Sequence, residues 1–273
     1  MASKSKKLLM MLVVTMLVLG FSSQLLAHEM VLDFPQQVES GEEVEIEFFF
    51  GHHPDAPDYE HSFFATLEEK AELMVVDEAG NVTELDFELE AAANRYVATF
   101  TPEEEGVYWV VAEGPRGVVD RSDRDPSGGM QLRYYDAKAP LIVGGDNEIE
   151  IPETPLGAEF ISEGSISITE GSEASLRLSY QGEAVSEEEV TVVAPNDQVT
   201  ELTTDAEGRL EVELDQVGRW FIHIGSLMDL DSSGEDFAEE ELTEIIEYDR
   251  ARYNTTLYLE VEEKPGFFQR LFR

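Results

Sequence analysis

Apolar side chains recur at every second position through much of this chain, and that pattern confines it to β structure. Val44, Ile46, Phe48 and Phe50 alternate with Glu43, Glu45, Glu47 and Phe49. A period of two with one wet face marks a half-buried strand. The alternation returns in Ala174, Leu176, Leu178 and Tyr180, in Leu210, Val212 and Leu214, and in Leu257, Leu259 and Val261. Leu73–Val76, Arg95–Phe100, Val107–Ala112 and Val190–Val193 read as further strands. Glycine turns separate them, among them Asp77–Asn81, Gln181–Glu183 and Thr204–Gly208. Trp109 is a large candidate core residue.

The expected fold class is all-β, with two tandem Ig-like antiparallel sandwiches. The boundary falls at the Gly/Asp-rich stretch Gly144–Asn147, giving an N-terminal domain over 28–145 and a C-terminal one over 146–263. Met130–Tyr135 and Pro140–Val143 read as separate segments. An acidic insert spans 229–250, and its stretch Ser232–Arg250 reads as holding a short helix with Phe237, Leu242, Ile245 and Ile246 on the apolar side.

Residues 1–27 have the layout of a cleaved signal peptide: Lys4, Lys6 and Lys7, an apolar run from Leu8 to Gly20, then Leu25-Leu26-Ala27. The run is short for a membrane span, which needs about 20 residues. The expected location is therefore periplasmic or extracellular. Cleavage after Ala27 would make His28 the first residue, so that its amine and imidazole could chelate one ion together. The chain has no cysteine, hence no disulfide, thiolate ligand or thiol nucleophile.

Charge excludes one partner class. With 59 Asp and Glu against 18 Lys and Arg, the formal charge is −41, and loss of the leader's three lysines takes it to −44. Such a surface repels nucleic acid and anionic membrane. The acids lie on every exposed strand face, as in a protein kept soluble in high salt. The tail at 264–273 reverses the trend, interleaving Lys264, Arg270 and Arg273 with Phe267, Phe268 and Phe272. It reads either as a docking peptide for a membrane or permease or as a strand end packed on its own domain.

The five histidines are His28, His52, His53, His61 and His223, and four of them fall in the first 34 residues after the leader. Imidazoles with an amine and the carboxylates of Asp55, Asp58 and Glu60 would suit a borderline divalent metal. The candidate ligands are His28, His52, His53 and His61, with Met30 a less fitting soft ligand. His223, in a strand, reads as a core or face residue. Asp229–Gly234 with Glu240 in the twelfth position has the spacing of a calcium loop, but Asp236 stands where an apolar residue normally pins it. There is no Gly-x-Ser-x-Gly elbow, phosphate loop or His-Glu-x-x-His, so a binding protein is expected rather than an enzyme.

An ordered set of short motifs carries a family resemblance: His28, Phe50-Gly51-His52, Asp77-Glu78-Ala79-Gly80, Gly106-Val107-Tyr108, Ile149–Pro152, Thr204-Asp205 with Gly208, and Gly218 with Trp220. It resembles the extracytoplasmic component of nickel/cobalt energy-coupling-factor transporters, the NikK-like family, over nearly the whole chain after the leader. The resemblance implies capture of Ni(II) or Co(II) through His28 and His52, with His53 and His61 beside them, and delivery to a membrane permease. The doubled histidine before Pro54 departs from the family's single one. The C-terminal half resembles bacterial Ig-like modules of the Cna-B kind, without an obvious Lys/Asn crosslinking pair. Competing readings are a periplasmic copper carrier (zinc fits the same donors), a structural or adhesive surface module, and a histidine-brace oxidase.

Overall fold

A computed structural model describes residues 28–51, 62–122, 128–145 and 147–264. The leader, His52, His53, His61 and the tail from Pro265 lie outside the described residues.

The chain is all-β, and most of its described strands form three stacked layers, with β10 (Glu148–Ile149) and β12 (Ile166–Ser167) paired apart from them. The first is a sheet in the order β1 (Glu29–Asp33), β3 (Val44–Gly51), β7 (Arg95–Phe100), β6 (Glu88–Glu90). The middle layer is a nine-stranded sheet. It runs β16 (Val199–Thr203), β15 (Glu189–Val193), β18 (Gly218–Asp229), β21 (Arg250–Val261), β9 (Met130–Val143), β8 (Gly106–Asp120), β4 (Glu72–Val76), β5 (Val82–Glu84), with β2 (Gln37–Val38) against β9. In the third, β13 (Ser172–Tyr180) pairs with β11 (Ala158–Ser162), β14 (Glu183–Ala184) and β17 (Arg209–Leu214).

Side-chain alternation on the middle sheet builds two cores. Val110, Ala112, Ala137, Ala139, Leu141, Phe221 and Tyr258 face the first layer, where they meet Met30, Leu32, Ile46, Phe48 and Phe50. Trp109, Val111, Ile142, Ile222, Leu257 and Leu259 face the third layer, where they meet Phe160, Leu176, Leu178, Val212 and Leu214. A sheet covered on both faces buries successive residues, which is why β9 lacks a wet side through Leu141, Ile142 and Val143.

The expectation of two tandem sandwiches is corrected in one respect: the two halves share the middle sheet. Arg250–Leu257 of β21 runs parallel to Gln131–Lys138 of β9, so the ladder joins strands from either side of Gly144. Met130–Tyr135 and Pro140–Val143 are likewise one 14-residue strand, not two segments. Pro140 is tolerated because β21 pairs only as far as Lys138 and β2 begins at Ile142. Ile142 donates its N–H to Gln36 O on that side, so the missing N–H of Pro140 falls in the gap between the two partners.

Two local expectations also change. The insert is a hairpin and not a helix, with β19 (Gly234–Phe237) pairing antiparallel with β20 (Ile245–Tyr248). Phe237 is buried over Gly117, where a Cβ would come within 2.5 Å of its ring, so a tertiary contact outweighs the helical spacing. In the other direction, the helix α1 (Ser62–Lys70) stands where the sequence pattern assigned no element, burying Thr66 and Leu67 while Glu68 and Glu69 face solvent.

Candidate functional site

His28 stands directly before β1, in the layer that packs on β9 and β21. The period-two pattern of β3 turns Val44, Ile46, Phe48 and Phe50 inward, so Phe50 is the last inward residue before the strand ends at Gly51. In the β1–β3 register Met30 faces Phe50 and Glu29 faces Gly51, which brings the start of one strand beside the end of the other. The His28 ring stacks on Phe50 at 5.2 Å with planes 14° apart. Phe50 in turn meets the Tyr135 ring edge-on at 5.0 Å. A half-buried imidazole is therefore anchored through two aromatic rings to the middle sheet.

Neighbouring polar groups are packed tightly. Glu29 is only 1% exposed. Tyr258 donates its hydroxyl to Met30 O at 3.3 Å, and burial, then the nearby Glu29 charge, holds its phenol well above the usual range. Chemically, the described part of this site offers one imidazole in a fixed plane. Among the described residues no group of three or more His, Asp or Glu is arranged to hold a metal. His52, which the sequence places next after Gly51, lies outside the described residues together with His53 and His61.

His223 does not join His28. It is buried on β18, stacks on Phe221 at 5.2 Å, and has Nδ1 3.1 Å from Thr256 Oγ1. Burial pushes its pKa down to about 4, so the ring is neutral near pH 7. The stretch with calcium spacing begins at Asp229, the last residue of β18, and runs into the hairpin. Asp229 Oδ1 accepts the N–H groups of Asp231 and Ser232, its Oδ2 accepts the Tyr180 hydroxyl at 2.6 Å, and Gly234–Phe237 is paired strand. Phe50, which stacks on the His28 ring, is in the sequence pattern as an inward strand residue, but Tyr135 behind it was not singled out. Phe50's place as the last inward residue of β3 was the available signal, whereas Tyr135 required the fold.

No helix among the described residues is long and apolar enough to cross a membrane. Residues 25–226 match the family described as a domain of unknown function, DUF4198. No curated protein matches the chain. Among solved structures, the native conformation of alpha-2-macroglobulin from E. coli is similar at 14% identity and a TM-score of 0.25, covering 85% of this chain and 14% of that one. A DUF4785 family protein from Legionella pneumophila is similar at 7% identity and a TM-score of 0.28, covering 81% of this chain and 55% of that one. The chain thus spans a small part of the first and about half of the second, and scores this low carry no argument about function.

Proposed function

The chain belongs to the DUF4198 family, and within that frame we propose that it is an exported binding protein that captures Ni(II) or Co(II) for a membrane permease. The supporting observation is the His28 imidazole, held against Phe50 where β1 begins and β3 ends. Processing after Ala27 would place an α-amine on the same residue, giving two nitrogen donors to one ion. His52, His53 and His61 follow β3 in the sequence and complete a donor set suited to borderline divalent metals. No redox change is needed. Release to the permease proceeds by exchange of imidazole ligands.

The test is calorimetry and native mass spectrometry with Ni(II) and Co(II) on protein beginning at His28, on the same protein with one alanine added ahead of it, and on His52→Ala. One ion per chain, lost in both altered proteins, is the expected result. Weak binding of several ions, indifferent to both changes, would mean that the acidic surface alone collects cations and that the histidines have no such role.

A further inference from the structure

The face of the middle sheet that carries Leu141, Ala139 and Ala137 as core continues along β9 as Tyr135, Arg133 and Gln131. Arg133 is opposite Arg252 on β21, and Arg116 reaches in from a bulge in β8. Two of the guanidinium groups meet one phenol, and the third stands beside Arg133 in the strand register. Arg133 lies 5.4 Å and Arg116 5.9 Å from the Tyr135 ring, Arg116 donates to the Tyr135 hydroxyl at 3.3 Å, and Arg252 acts electrostatically on both Tyr135 and Arg116.

This gathering is unusual in a protein with 59 acids and 18 bases, and its cost lies in burial and mutual repulsion. Glu239 pairs with Arg116. Arg252 donates to a backbone carbonyl, Gly225 O. Arg133 is 5% exposed and its Nε is buried without a hydrogen-bond partner. Arg252, Arg116 and Arg121 are cationic neighbours whose charges act against its own. Burial, then those neighbours, pushes its pKa down to about 9, against the usual permanence of a guanidinium. His223, on which the Arg252 charge also acts, has a buried Nε2 without a partner. An uncompensated buried cation costs several kcal/mol, and an anion that accepts its N–H groups removes that cost.

We propose that this face, centred on Arg133 with Arg252 beside it, binds a small oxyanion, a carboxylate or phosphate group received by the guanidinium forks. The site lies across Phe50 and Tyr135 from His28 and requires no metal, so it stands or falls separately from metal capture.

The experiment is calorimetric titration of the purified protein with inorganic phosphate and with citrate, at ionic strength fixed with chloride. One anion per chain is expected, and the tighter of the two arms identifies the phosphate or carboxylate class. Arg133→Gln should weaken it at least about tenfold, the value of one lost charge-assisted bond. Labelling of the unaltered protein with phenylglyoxal, read by peptide mass spectrometry, gives a second measurement free of any folding defect. Phosphate or citrate should protect the Arg133 peptide. Equal labelling in chloride and in both oxyanions, no binding above the chloride control, or unchanged affinity in Arg133→Gln would each overturn the proposal.

Discussion

Asp136 shows how far one side chain can work against its own fold. It is 1% exposed, its Oδ1 accepts the Gly114 N–H at 3.3 Å, and its Oδ2 is buried without a partner. Strand register aligns it with Glu113 on β8, and Glu113 with Glu72 on β4. Burial, then the Glu113 charge, raises the Asp136 pKa well above the usual carboxylate range. The folded state therefore holds a proton that the unfolded state gives up, and stability falls as pH rises through the folded value. Asp136→Asn should stabilise the protein at pH 8 by on the order of 1–3 kcal/mol, with the gain shrinking toward pH 4 in urea unfolding. His223 acts in the opposite direction. Its pKa is depressed to about 4, so stability is lost as pH falls from 6.5 toward that value, and His223→Gln should flatten this acid limb. At this scale His28 was legible in the sequence because it directly follows Leu25-Leu26-Ala27 and belongs to a cluster of four histidines. Arg116, Arg133 and Arg252 were not, because three strands bring them together and nothing local distinguishes them from surface arginines.

Elements were legible wherever one face of a strand is wet. Alternation reveals β3, β13 and β17 because polar or charged side chains mark their outer sides. It fails along β9, where cores on both faces remove the alternation and Pro140 imitates a break. It fails also in the insert, where Phe237 is fixed by the space above Gly117 and not by its own neighbours. The apolar core between the middle and third layers also contains one buried polar link. Lys138 Nζ reaches Glu159 at 2.5 Å and Pro152 O at 3.0 Å, and Glu159 also accepts from the N–H and hydroxyl of Thr154. Both side chains are almost fully buried, and burial lowers the Lys138 pKa against the pull of Glu159. Glu159→Gln should cost about 3–5 kcal/mol by stranding the ammonium. The pair Lys138→Met with Glu159→Leu should cost much less than the two single changes together. A double-mutant cycle in chemical denaturation measures both.

For the whole molecule, the shared middle sheet predicts one unfolding event. Trp109 reports from the first half of the chain and Trp220 from the second, and both lie in the core between the middle and third layers. Variants Trp109→Phe and Trp220→Phe, each with one remaining fluorophore, should give coincident denaturation curves. Separated midpoints would show that the halves fold independently. An all-β class was legible from periodicity alone. The sharing was not, because the parallel pairing of β21 with β9 joins segments more than 100 residues apart.

The central proposal, metal capture at His28, is tested most directly by X-ray absorption at the nickel edge on protein loaded with one equivalent of Ni(II). The account predicts a nitrogen-rich shell with the outer scattering of more than one imidazole. An all-oxygen shell without imidazole scattering would contradict it, leaving nickel on the acidic surface.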